Sequence, residues 1–146
     1  MSAWEPQARR GRVPHPLDLA WFRLGPDWSW LVVAPAAAGQ DAAPIARALA
    51  RVGADVSGGE VEFRDGTGVA PSGVAAFVTD LRRERRRSRV VVAVATPLAG
   101  TPALEVARSA DGVVLCVPRG RVPVSGVQAV ADALGRERIV CSLLID

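Results

Sequence analysis

The residues best placed to do chemistry form one short stretch, Pro35-Ala36-Ala37-Ala38-Gly39-Gln40-Asp41-Ala42-Ala43-Pro44. It follows an apolar run typical of a buried strand, Trp30–Ala34, and leads into a helical run, Ile45–Val52. Strand, small-residue loop and helix in that order make a frame that can cradle phosphate on backbone N–H groups. Triphosphate chemistry in such a loop requires a Lys after the last Gly, to meet the β- and γ-phosphates, and an adjacent Ser or Thr for Mg²⁺. Here Gly39 is followed by Gln40, Asp41 and Ala42, and all 18 cationic side chains of the 146-residue chain are Arg. A carboxylate beside a triphosphate repels it. The frame of a nucleotide site is therefore expected, with Gly39, Gln40 and Asp41 in a degenerate loop.

Other candidates carry less. Arg82-Arg83-Glu84-Arg85-Arg86-Arg87-Ser88-Arg89 is the densest charge cluster. Cations in the last turn of a helix suit its dipole; the same arginines (Arg82, Arg83, Arg85, Arg86, Arg87 and Arg89) could form a basic patch for nucleic acid, an anionic membrane surface or an acidic partner. No aromatic residue is interleaved with them for base stacking. Gly66-Thr67-Gly68 lacks the third Gly of a dinucleotide fingerprint and reads as a turn. Arg119-Gly120-Arg121 could hold an anion, and Asp111 reads as a turn residue. His15 is the only histidine, so no Ser-His-Asp or Cys-His set can be assembled. Cys116 and Cys141 sit in apolar runs and read as buried free thiols, with no C-x-x-C pair for a metal. No metal and no cofactor are expected.

These candidates need elements to position them. Residues 1–27 read as an arm, with four prolines, the run Arg9-Arg10-Gly11-Arg12 and one apolar piece, Leu17–Leu24. Trp4, Trp21, Phe22 and Trp28 make the region aromatic. They either anchor the arm to the core or form a partner-binding patch; on the second reading, deleting the arm abolishes capture and leaves the domain folded. From residue 28 to 146 a single domain is expected, in which strands alternate with one-faced helices. The helices are predicted over about Asp41–Val52 (stopped by Gly53), Ser72–Arg87, Pro102–Ala110 and Pro123–Leu134. The strands are Trp30–Ala34, Glu60–Arg64 at an edge, Arg89–Ala95, Gly112–Val117 and Arg138–Ile145. Continuous apolar strands alternating with helices imply a three-layer, mostly parallel sheet covered on both faces. Ligands of such sheets bind at the carboxyl ends of the strands.

The order of segments in Arg89–Asp146 resembles a known family. Val90-Val91-Val92-Ala93-Val94-Ala95-Thr96-Pro97-Leu98 is similar to the strand ending in Asp-Thr-Pro-Pro of bacterial tyrosine kinases and related ParA/MinD-type ATPases. Pro102–Ala107, Ala110–Val117 and Gly135–Val140 resemble the helix and strands that follow it there. The resemblance implies a P-loop-NTPase-like, Rossmann-like fold. It also implies that Thr96 and Pro97 line the nucleotide site, and that Ala95 stands where the family has an Asp assisting Mg²⁺. Against that family, the short polar stretch Ala54–Gly59 stands where an aspartate-rich strand follows the first helix, and the Tyr-rich tail of the kinases has no counterpart in a chain without Tyr.

Together these features give a non-catalytic pseudo-ATPase domain that works by binding a protein partner or a second copy of itself, in a cytoplasmic assembly such as polysaccharide-export or positioning machinery. The alternatives are a weak nucleotide-binding ATPase or kinase-like protein, and a basic adaptor for nucleic acid or a membrane surface. No apolar stretch approaches the roughly 20 residues of a membrane-spanning helix, and the Arg- and Pro-rich start lacks the apolar region of a signal peptide.

Overall fold

The computed structural model describes residues 16–145; Trp4, the Arg9–Arg12 run and His15 lie outside them. The described chain forms α1 (Pro16–Leu24), β1 (Trp30–Pro35), α2 (Ala43–Ser57), β2 (Val61–Asp65), α3 (Val74–Glu84), β3 (Arg89–Ala93), α4 (Thr101–Ser109), β4 (Gly112–Pro118), α5 (Val124–Leu134) and β5 (Ile139–Ile145). The five strands make one sheet in the order β2-β3-β1-β4-β5, and every pairing is parallel.

β1 is the middle strand and every residue in it is buried. Its even-numbered residues Trp30, Val32 and Ala34 face one cluster with Val78, Leu81, Val106 and Val130. Its odd-numbered residues Leu31 and Val33 face the other, with Leu17, Trp21, Trp28, Ala46 and Leu49. This alternation explains the unbroken apolar sequence: both faces of the strand are covered. α3, α4 and α5 lie on the first face, and α1 and α2 on the second. Because β3 and β4 flank β1, the connections diverge at its carboxyl end, which is where open parallel sheets form their crevice.

Two expectations about the helices need correction. Gly53 does not stop the first domain helix. α2 continues to Ser57 and ends at Gly58, whose φ of 69° takes the left-handed conformation that glycine tolerates. Gly53 is instead a contact point: a Cβ there would overlap the Trp21 ring, with Cε3 at 2.9 Å. Residues 54–57 are thus helix, and the strand after α2 is β2, which ends in an acidic residue, Asp65. Ahead of residue 28, α1 packs onto the domain, the anchoring alternative for this aromatic region. Leu17, Ala20 and Trp21 of α1 are buried against α2 and β5, so this helix belongs to the core and its removal would uncover α2. α3 is shorter than predicted, opening on a single 3₁₀ turn, Pro71–Gly73, and giving way at Arg85 to turns that run into β3.

Candidate functional site

The loop from Ala36 to Ala42 stands at the carboxyl end of β1, where a phosphate would be held. The Ala36 N–H donates to Cys116 O at 2.8 Å, tying the loop to the end of β4. Gly39 takes a φ of 78°, and the Gln40 N–H donates to Ala37 O at 3.3 Å, closing a tight turn. The Asp41 carboxylate then accepts the Ala43 N–H at 3.0 Å. An anion at this point suits the positive end of the α2 dipole, so the protein's own carboxylate occupies the electrostatic position that a phosphate would take. Pro44 has no N–H to offer, and the Ala46 N–H is committed to Ala42 O at 2.9 Å. Gln40 Oε1 is buried without a hydrogen-bond partner.

The second part of the expected site lies next to this loop in the sheet. Thr96 and Pro97 are buried just beyond the end of β3. Thr96 Oγ1 accepts the Leu98 N–H at 3.4 Å and so opens a 3₁₀ turn, Pro97–Ala99. Its hydroxyl serves the turn, and the preceding Ala95 brings no carboxylate. The sheet order thus brings both sequence-predicted segments to one end, and their polar groups are engaged in holding the loops. Nucleotide triphosphate with Mg²⁺ does not fit these two segments, because the loop 36–42 itself carries no cation and residues 94–97 carry no carboxylate.

Asp65 opens the turn Asp65-Gly66-Thr67-Gly68 at the same end of the sheet. It ends β2, and its carboxylate accepts from the Thr67 hydroxyl at 2.6 Å and the Thr67 N–H at 3.0 Å. The Thr67 hydroxyl, and then its amide, hold the carboxyl below its usual pKa against a smaller effect of burial. Gly66-Thr67-Gly68 is accordingly a turn, pressed so close to β3 that a Cβ on Gly66 would lie 2.9 Å from Ala93 O. Arg119, Gly120 and Arg121 form another turn, with Gly120 at a φ of 74° and both Arg residues exposed.

The arginine cluster lies at the opposite end of the sheet and is largely committed to neighbours. Arg83 meets Asp80 at 3.7 Å, Arg85 meets Asp111 at 3.2 Å, and Arg87 meets Glu84 at 3.5 Å. Glu84 also accepts from Arg64 at 2.7 Å, and this guanidinium is the main reason its carboxyl lies below the usual range. Arg89 donates to Pro26 O at 2.7 Å and lies over the rings of Trp28 and Trp21, at 4.7 and 5.6 Å from their centroids. Arg82 and Arg86 are exposed and have no ion pair among the described residues. An open depression of about 420 Å³ among Ser57, Glu60 and Arg85–Arg89 marks this end.

Asp111 does more than make a turn. Its carboxylate accepts the Ser29 N–H at 2.8 Å, the Trp30 N–H at 3.0 Å and the Ser29 hydroxyl at 3.1 Å, besides pairing with Arg85. Burial pushes its pKa up; the Ser29 and Trp30 amides, the Ser29 hydroxyl and Arg85 together outweigh that and leave it lowered. It fixes where β1 begins, a link over 82 residues that no local pattern signals.

Of the aromatic candidates, Trp21 and Trp28 are 6% and 8% exposed and pack edge to face with centroids 5.3 Å apart. They hold α1 and the 25–29 segment to α2, so their rings are not on the surface. Phe22 is 54% exposed. Among the described residues there is no group of acidic, His or Cys side chains able to hold a metal, and no helix long and apolar enough to cross a membrane.

No family model and no curated protein sequence matches the chain. Among solved structures, the chimerical protein CapA2B2 superposes with a TM-score of 0.68 at 12% identity, over 88% of this chain and 79% of that one. The BceF tyrosine kinase domain superposes with a TM-score of 0.59 at 11% identity, over 88% of this chain and 72% of that one. At such identities the likeness is one of fold: the chain has a five-stranded parallel sheet flanked by helices, a P-loop-NTPase-like fold.

Proposed function

We propose that this protein is a non-catalytic member of that architecture: a pseudo-ATPase domain that acts as an interaction or regulatory subunit in a cytoplasmic assembly. The observation that carries the reading is Asp41 on the Ala43 N–H at 3.0 Å, at the helix end where a phosphate would bind. Lys is absent from the whole chain and Ala95 follows β3, so the groups that would neutralise a phosphoryl-transfer transition state are missing at both places. Loss of both would cost many factors of ten in rate. The fold survives because its stability comes from the two apolar faces of the sheet, which do not depend on loop chemistry. A polysaccharide-export or positioning assembly is the setting we favour, as the resemblance of Arg89–Asp146 to bacterial tyrosine kinases and ParA/MinD-type ATPases implies.

Isothermal titration calorimetry with Mg-ATP and Mg-GTP tests the reading. No saturable heat is expected at concentrations up to about 1 mM, which corresponds to a binding free energy weaker than about −4 kcal/mol. Micromolar affinity for either nucleotide would contradict it. The nucleic-acid and membrane alternatives gain no support from the arginine cluster, where four of the six candidates are bound to neighbours within the domain.

A further inference from the structure

The end of the sheet away from the loop 36–42 carries a surface with its own chemistry. The open depression of about 420 Å³ lies at the amino ends of β2 and β3, between the end of α2 and the turns that join α3 to β3. Its volume is within the range of ligand-binding clefts, about 300–1,000 Å³. Four of its lining residues are Arg (Arg85, Arg86, Arg87 and Arg89) and one, Glu60, is acidic.

The contacts these arginines make inside the domain leave most of their donors unused. A guanidinium presents five N–H groups in a planar fork. Arg85 reaches Asp111, Arg87 reaches Glu84 and Arg89 reaches Pro26 O through Nη2 alone. Arg86 has no ion pair among the described residues. Two of the four are also held in place. Arg89 lies over the Trp28 and Trp21 rings, and Arg85 is anchored on Asp111, whose carboxylate is itself fixed by the Ser29 and Trp30 amides. Side chains ordered before binding lose less entropy when a ligand arrives. The Arg87 contact is the loosest, at 3.5 Å with the side chain 76% exposed, while Arg64 already meets Glu84 at 2.7 Å. Arg87 can therefore turn toward a ligand at little cost.

The rest of the lining decides which anion fits. Phosphate-binding concavities are built on free backbone N–H groups. Here the Arg86 amide donates to Arg83 O at 3.3 Å, the Arg87 and Ser88 amides to Glu84 O at 2.9 and 3.1 Å, and the Arg89 amide to Glu60 O at 3.3 Å. These turns offer a ligand side chains only. No aromatic residue lines the depression for base stacking. Separate guanidinium forks around an open surface suit separate carboxylates, each taken bidentately.

We infer that this depression binds an acidic peptide segment, rich in Glu or Asp, of a protein partner, with Arg85, Arg86, Arg87 and Arg89 as the carboxylate receptors. Glu60 opposes the attraction, so loss of its charge tightens binding. The inference rests on the reading of the protein as an interaction module and gives the chemistry of what that module holds.

The test is fluorescence anisotropy of labelled hexaglutamate with the full chain at about 50 mM salt, where exposed charges are only partly screened. Saturable binding is expected, with none for hexaglutamine. Arg86→Gln combined with Arg87→Gln should weaken it by about ten-fold or more, the loss of charge-assisted hydrogen bonds, and Glu60→Gln should strengthen it. Arg121→Gln, a charge change at the opposite end of the sheet, should leave it unchanged; circular dichroism checks that each variant is folded. The inference is overturned by the absence of saturable binding up to about 1 mM, by wild-type affinity in the Arg86/Arg87 variant, or by an equal loss from Arg121→Gln. Equal or tighter binding of an oligothymidylate of matched charge overturns it too, in favour of a nucleic-acid surface. The nucleotide titration reads the loop 36–42 at the carboxyl end of the sheet, so failure here is distinct from failure of the pseudo-ATPase reading.

Discussion

Gly53 is a position where two physical effects of known size oppose each other. It lies inside α2, where replacing Gly by Ala should stabilise an isolated helix by about 1 kcal/mol. In this fold the new methyl group would meet the Trp21 ring, with Cε3 at 2.9 Å and two further ring carbons closer still. Trp21 cannot easily turn aside, because it is 6% exposed, packs edge to face on Trp28 and lies under Arg89. Overpacking of this kind costs about 1–3 kcal/mol, and complete loss of a docked Trp about 3–5 kcal/mol. Gly53→Ala should therefore destabilise the protein by about 2 kcal/mol net, a shift of about 1 M in the urea midpoint at an m-value near 2 kcal/mol/M. In a Trp21→Ala background the obstruction is gone, and the same substitution should stabilise by up to about 1 kcal/mol. The sign reversal amounts to a coupling of about 3 kcal/mol in a double-mutant cycle, read by circular dichroism so that loss of the indole does not disturb the signal. If Gly53→Ala stabilises the wild type, or has the same effect in both backgrounds, the docking of α1 on α2 described here is incorrect.

The remaining predictions concern charge and thiols. Asp111→Ala should cost about 2 kcal/mol in urea unfolding, because the Ser29 and Trp30 amides lose a charged acceptor. Its carboxyl is lowered from the ordinary 3.8 in the folded state. The stabilisation is thus complete above that value and disappears as pH falls through the folded pKa; Asp111→Asn should flatten the acid limb of the stability curve, and an unchanged limb would count against the assignment. Burial pushes the Cys116 thiol up to about 12. A thiol reagent at pH 8 should label the partly exposed Cys141 first and reach Cys116 only on unfolding, and prompt labelling of both would place Cys116 elsewhere.

The strands and helices were legible because both periodicities are clean: Val90–Val94 is apolar without interruption, and Val74, Phe77, Val78 and Leu81 share one face of α3. The loop after β1 was legible as a frame, since strand, Gly39 and helix follow in order. Gly53 misled because glycine marks a helix end and a close packing contact equally well, and only the Trp21 ring distinguishes them. The place of α1 was obscured by its sequence: three prolines flank, and a fourth begins, a nine-residue helix whose apolar face has meaning only against α2. Asp111, Arg85 and Ser29 were invisible as a group, because their contacts span 26 and 82 residues. The arginine run looked like a free surface, and the carboxylates that engage it come mostly from its own helix and the loop before β4.

The central claim is that the phosphate position at the start of α2 is closed by Asp41 and lacks a cation. Ligand linkage tests it most directly, through the urea midpoint measured with and without 1 mM Mg-ATP. The structure predicts superimposable curves. A nucleotide bound at about 10 μM would stabilise the protein by about 2.7 kcal/mol, a shift of more than about 1 M in the midpoint, and such a shift would contradict the claim.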